Sequence, residues 1–165
     1  MPSPSIRVLV TGGTFDKEYD ELTGRLYFKE THLPEMLKLA RARLDVNVGT
    51  LMMIDSLDMT EADRGLVVDA CRRCDEDCIV VTHGTDTLAE TARALLEAGL
   101  PKTIVLTGAM IPYAFGSSDG LFNLGGALSL AQVLPRGVYV AMNGRVFPAG
   151  SVRKNRETGV FEELT

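Results

Sequence analysis

Five short aliphatic and β-branched runs, each followed by a polar loop and most by a stretch of helical spacing, limit this chain more than any other feature. IRVLVT (6–11), a run within DVNVGTLMMI (45–54), CIVVT (78–82), KTIVLTG (102–108) and GVYVAM (137–142) are the candidate strands. Most are apolar at successive positions, as strands covered on both faces must be. Between them, LPEMLKLARARL (33–44) reads as a helix with Pro34 in its first turn, a tolerated place. TEAD at Thr60 has the form of a capping box, with Asp where Glu or Gln is usual. The helix it opens runs to about Cys74, with Leu66, Val67, Ala70, Cys71 and Cys74 on one side. Leu88, Ala92, Leu95 and Leu96 keep helical spacing until Gly99 and Pro101 end it, and SSDGLFNLGGALSLAQVL (117–134) follows as another helix. Strands joined through helices pair in parallel. The expected fold is therefore α/β, a three-layer α/β/α sandwich with a mostly parallel sheet of Rossmann or flavodoxin-like type. The tail from Asn143 reads as a hairpin and a loose end.

At 165 residues, with 45% hydrophobic and 24% charged residues, residues 1–165 are expected to form one globular domain. A net charge of −5 argues against general nucleic-acid binding. No apolar run reaches membrane-spanning length, so no membrane partner is expected. The opening MPSPSIRVLV lacks the pattern of a signal peptide, which makes a cytoplasmic location the expectation. Cys71, Cys74 and Cys78 are an odd, tightly spaced set, which is no disulfide framework. They suit the end of a helix and the start of the next strand better than a metal site, for which a fourth ligand is wanting.

In open α/β sheets ligands bind beyond the carboxyl ends of the strands. Here those ends read TGGTFD, DSLDMT, THGTDT and TGAMIPYAFGSSDG. The glycines do not have dinucleotide or phosphate-loop spacing, and no G-x-S-x-G elbow is present. His32 and His83 are the only histidines, which leaves little for a serine–histidine triad or a histidine metal site. What stands out is threonine: Thr11, Thr14, Thr82, Thr85, Thr87 and Thr107. A strand-end threonine commonly caps the next helix, and Thr82 and Thr87 fit that role. Thr14 and Thr85 are expected to face each other across adjacent strand ends. A hydroxyl becomes a nucleophile only with a base or cation beside it, and Tyr19 and Lys102 are candidates for that help. Lys102 stands just before an apolar run, which favours a functional over a solvated lysine. The glycines of TGGT and HGTD would let backbone amides approach a substrate oxygen. His83 is expected to support its loop.

VTGGTF, DSLDMT, THGTDTLAETA and KTIVLTGAMIP…SSDGLFN, in that order, resemble the signatures of the bacterial-type L-asparaginase family, specifically its N-terminal domain. The resemblance runs from about residue 6 to residue 161. It implies the sandwich fold above and an amidohydrolase that converts L-asparagine to L-aspartate and ammonia, with L-glutamine as a second substrate. Carried over residue by residue, it implies that Thr14 attacks the side-chain amide and forms an acyl-enzyme. Tyr19 would assist from a loop over the site, with Tyr27 as its competitor. Thr85, Asp86 and Lys102 would form a second constellation that handles protons or the attacking water. Asp86 would hold the substrate ammonium and Ser56 its α-carboxylate, with Asp55 as a weaker neighbour. No metal and no organic cofactor is implied.

Two departures bear on that reading. Leu57 stands where the family usually has Gln or Ser. Family members are usually about twice this length, and a neighbouring subunit's C-terminal domain reaches the substrate in them. The expectation is a short, single-domain L-asparaginase whose site is completed by a homodimer or higher homo-oligomer. Glu18, Asp20 or Glu21 would then supply the missing carboxylate. The alternatives are an amino-acid-binding or regulatory domain without turnover, and a hydrolase of a different small amide.

Overall fold

The computed structural model describes residues 2–165. Its central sheet has the strand order β4-β1-β5-β6-β7-β8, built from Ile6–Gly12 (β1), Val46–Ile54 (β4), Cys78–Thr82 (β5), Thr103–Thr107 (β6), Gly137–Met142 (β7) and Arg145–Pro148 (β8). All neighbours are parallel except β7 and β8, which form a hairpin through Asn143 and Gly144. The parallel strands thus follow the flavodoxin-like order 2-1-3-4-5. Two hairpins lie outside this sheet: β2 (Lys17–Asp20) with β3 (Arg25–Phe28), and β9 (Val152–Asn155) with β10 (Val160–Glu163).

Both sheet faces are covered because successive strand residues are apolar and point alternately to the two faces. Ile79, Val81, Ile104 and Leu106 point to one face, where Val67 and Cys71 of α2 (Glu61–Arg73) and Leu88, Ala92 and Leu95 of α3 (Leu88–Ala98) meet them. Val8, Val10, Val80 and Val105 point to the other, under Leu33 and Met36 of α1 (Leu33–Leu39) and Leu124, Ala127, Leu128 and Ala131 of α4 (Gly120–Val133). Each Val, Leu, Ile or Met side chain among them, withdrawn from water, contributes about 1.5–3 kcal/mol, and each alanine less. The sandwich expected from the sequence is the one observed.

Local chemistry sets the element ends. Thr60 Oγ1 accepts from Asp63 N, and Asp63 Oδ2 accepts from Thr60 N at 2.8 Å, so the capping box closes with Asp in its last place. Gly99 ends α3 in the left-handed region. The first helix stops near Leu39, a turn short of the apolar spacing that reached Leu44. Arg41 adopts φ 53°, Ala42 N donates to Leu37 O and Arg41 N to Lys38 O, which is a Schellman stop. Its left-handed position holds arginine, not glycine, so sequence offers no warning. The tail is more ordered than a loose end, because Val152 and Phe161 are buried in the same core as α3.

Candidate active site

The chain passes from β1 to one side of the sheet, at β4, and later to the other side, at β5. The switch point, beyond which ligands bind in open sheets of this kind, therefore lies at the carboxyl ends of β1 and β5. Those ends carry Thr14 and Thr85. Thr14 is half-buried and begins a short 3-10 turn, Thr14–Asp16, seated by the buried ring of Phe15. Thr85 is buried in the loop between β5 and α3.

Glycine brings the loops together. Gly13 has φ 75°, and a Cβ on it would stand 2.4 Å from Gly84 N and Cα. A Cβ on Gly84 would in turn stand 2.6 Å from the Ser56 side chain. Three loops are closely stacked, backbone on backbone at Gly13–Gly84 and backbone on side chain at Gly84–Ser56, and Thr14, Thr85 and Ser56 sit at or next to the points of contact. Gly13 N–H donates to Ile54 O at 2.9 Å, so this amide is spent on the fold and not on a substrate oxygen. The glycines serve close approach.

Ser56 is buried in the turn after β4. Its Oγ accepts from Thr87 N at 3.3 Å, and its carbonyl accepts from Thr87 Oγ1 at 2.8 Å. Thr87 therefore ties two loops and does not cap α3 with its side chain. Thr82 is no cap either: its carbonyl accepts from Thr11 Oγ1 at 2.7 Å, and its own hydroxyl is buried without a partner. Thr107 Oγ1 likewise donates across the sheet, to Ala141 O. Thr14 differs, since its hydroxyl takes no structural hydrogen bond among the described residues.

The second constellation contains a different lysine from the one the sequence suggested. Lys102 lies at the start of β6, on the sheet edge opposite the site. Its buried ammonium donates to Cys74 O, and to Glu76 O at 3.1 Å. A strand of five residues spans about 17 Å, beyond the reach of a lysine side chain. The lysine at the site is Lys154 on β9, whose Nζ donates to Thr85 Oγ1 at 2.8 Å and to Asp86 Oδ1 at 2.9 Å. A pattern in the sequence marks it. Val152 is buried, strands alternate with period two, and Lys154 shares its inward face while Arg153 points to solvent. The segment's place in the tail hid that signal. Arg156 adds a donor to Asp86 O at 3.2 Å, and a groove of about 390 Å³ along Arg153–Glu157 opens this side to solvent.

The hairpin of β2 and β3 stands beside the site. Tyr19 is 56% exposed, packs edge-on against Phe115 at 6.2 Å, and its hydroxyl lies near Gly24 at the hairpin turn. The structure does not bring that hydroxyl to Thr14 or Thr85. Tyr27 pairs across the hairpin with Glu18 and donates to it at 3.1 Å, so its hydroxyl is already used. Glu18 Oε1 also lies 3.4 Å from His32 Nε2, and Asp20 accepts from Leu22 N and Thr23 Oγ1. Both carboxylates are thus engaged within or beside the hairpin, away from the role of substrate ligand expected for this loop. Buried Asp16 holds the far side, accepting from His32 N at 2.8 Å and from Thr31 Oγ1. Burial pushes its carboxyl pKa up in spite of these bonds. Asp55 caps its own turn through Leu57 N and pairs with Lys17 at 2.5 Å, and the Lys17 bond leads in holding its pKa below the usual range.

His83 supports its loop, as expected. Its Nδ1–H donates to Gly84 O at 2.8 Å, so Nε2 accepts from Thr91 Oγ1 at 2.7 Å. Burial lowers its pKa from 6.5 to about 4. The unfolded chain therefore binds the extra proton between those values, and stability falls as pH drops from about 6.5 to about 4, by up to roughly 3 kcal/mol. Calorimetry of wild type and His83→Gln should show the loss of Tm across that window in the wild type and a shallower loss in the variant. Parallel curves would mean that other groups carry the acid sensitivity.

Among the described residues no group of three His, Cys, Asp or Glu side chains is arranged to hold a metal, and no helix is long and apolar enough to cross a membrane.

Residues 5–161 match the family described as Asparaginase, N-terminal. The chain belongs to the asparaginase family. It is similar to L-asparaginase 2 of Escherichia coli, with 35% identity over 95% of this chain and 48% of that protein. Its fold is similar to the thermostable L-asparaginase from Thermococcus kodakarensis, with TM-score 0.86 and 31% identity over 96% of this chain and 51% of that one. L-asparaginase I from Vibrio cholerae superposes with TM-score 0.86 at 28% identity, over 98% of this chain and 52% of that one. The chain thus spans about half the length of the asparaginases it matches.

Proposed function

We propose that this asparaginase-family chain is an amidohydrolase that converts L-asparagine to L-aspartate and ammonia through Thr14. The observation that carries the reading is the linked set of Lys154, Thr85 and Asp86 beside a threonine whose hydroxyl has no structural task. Thr14 Oγ attacks the side-chain amide carbon, its proton passes to the leaving nitrogen, and ammonia departs. The resulting ester is cleaved by water, which regenerates Thr14 and releases L-aspartate. The Lys154 ammonium fixes the Thr85 hydroxyl as the group that relays protons or orients the water. A zwitterionic substrate needs an anion for its ammonium and donors for its carboxylate, and Asp86 and Ser56 are of the required types. L-glutamine is the second substrate in this reading.

Ammonia release from L-asparagine, L-glutamine and D-asparagine tests the proposal. Turnover of L-asparagine above the other two is expected. Binding of L-asparagine without ammonia release would favour an amino-acid-binding domain instead. Release only from another small amide would move the substrate, in keeping with apolar, exposed Leu57 beside Ser56.

A homodimer or higher homo-oligomer belongs to the same proposal. It is supported by α4, which carries no charged residue from Gly120 to Val133 and leaves Phe122 66% and Val133 76% exposed. Light scattering should give a mass of two or more chains, and a monomer at micromolar concentration would refute it.

A further inference from the structure

We propose that Lys17 is a positioning residue for the chemistry at Thr14, because its ammonium ties the hairpin carrying Tyr19 to the turn carrying Ser56. The proposal rests on the amidohydrolase reading.

Lys17 opens β2, immediately after the turn that Thr14 begins. Its Nζ lies 2.5 Å from Asp55 Oδ2, and the two side chains are only 17% and 34% exposed. Asp55 uses its other oxygen on its own turn, where Oδ1 accepts from Leu57 N at 3.0 Å. One carboxylate therefore joins the hairpin to the turn that seats Ser56. That turn is held in place by Thr87 and abuts Gly84 beside Thr85. Lys17 Nζ also stands 5.8 Å from the centre of the Phe28 ring, so both hairpin strands hold it. The other side-chain contacts of the hairpin run elsewhere: Glu18 to Tyr27 and His32, Tyr19 to Phe115, and Asp20 to the hairpin turn.

Charge gives the pair a second consequence. Ser56 is proposed to receive a carboxylate, and Asp55 precedes it in the chain. A bare Asp55 would repel that carboxylate, and the Lys17 ammonium cancels the repulsion. Loss of Lys17 thus acts twice, by freeing the hairpin and by exposing an anion. The two effects separate in a double-mutant cycle. Removing the Asp55 charge as well restores substrate binding but not the tie.

The test compares Lys17→Met, Asp55→Asn, the double variant and Lys17→Arg with wild type, by steady-state kinetics on L-asparagine and by amide hydrogen exchange without substrate. Lys17→Met should raise KM about tenfold and lower kcat about fivefold. The double variant should bring KM back to within about threefold of wild type while kcat stays low. Lys17→Arg should retain both constants. Exchange should quicken in residues 17–28 and 55–58 of Lys17→Met and remain unchanged in β5 and β6. Unchanged kinetics in Lys17→Met would overturn the proposal. So would a fall in kcat that simply follows a fall in Tm, with KM constant in all four variants. If wild type releases no ammonia from L-asparagine or any other small amide tested, the amidohydrolase reading fails by itself. Hydrogen exchange then decides the tie, and protection unaltered at both segments refutes it.

Discussion

Thr14→Ala should reduce ammonia release from L-asparagine by at least about 10³-fold, with the fold intact. The size follows from the role. On the proposed acyl-enzyme route, loss of Oγ leaves no atom to carry the acyl group, and the residual rate is that of water in a preorganised site. The second half of the expectation follows from the structure. Thr11 and Thr107 each donate to a carbonyl across the sheet, whereas the Thr14 hydroxyl takes no such bond. Phe15, wholly buried, seats the turn in place of Thr14. Tm should therefore move by no more than about 2–4 °C, the shift that a change of about 1 kcal/mol brings in a domain of this size. Thr14→Ser should keep part of the rate, since it keeps the hydroxyl. A Thr14→Ala protein with wild-type turnover would remove the nucleophile assignment. The same loss accompanied by unfolding would leave Thr14→Ser to decide, because a folded serine variant without activity contradicts a simple hydroxyl role.

Lys154→Met should cost about 10²–10⁴-fold in kcat, and Lys102→Met almost nothing. Lys154 binds Thr85 and Asp86 at once, so its loss leaves the Asp86 carboxylate without its counter-ion and the Thr85 hydroxyl without its orienting donor. Asp86 and Lys154 are partly buried, so removing the lysine leaves a carboxylate that water only partly solvates. Lys102→Met should instead lower stability by about 1–3 kcal/mol, because the Cys74 and Glu76 carbonyls lose their buried partner. Activity per folded molecule should stay within about twofold. Steady-state kinetics with thermal unfolding on both variants makes the comparison. Loss of activity in Lys102→Met with Lys154→Met unaffected would invert the assignment made from the structure.

Much of the architecture was open to reading because it rests on local rules. The apolar runs of β1, β5, β6 and β7 and the helical spacing of α2 and α3 each reflect which face meets the core. The threonine loops were legible for a related reason, since glycine-bearing polar segments after parallel strands mark the edge where loops converge. The end of α1 was not legible, because Arg41 occupies a left-handed position that glycine usually signals. Thr82 and Thr87 were misread as caps. A threonine at a strand end has the same composition whether it bonds the next helix or a neighbouring loop, and only the loop's path decides.

By itself, the sequence determined an α/β sandwich whose strand ends carry Thr14, Thr85, Asp86 and Ser56, because periodicity and loop chemistry are written over neighbouring residues. Only the tertiary structure decided which lysine joins them. Lys102 and Lys154 each adjoin a run of strand residues, yet one sits at the foot of β6 and the other crosses from a hairpin outside the sheet to reach Asp86. Charge pairing acts over a few ångströms in space and has no regular spacing along the chain, so the partner became visible only when the tail had folded back onto the site.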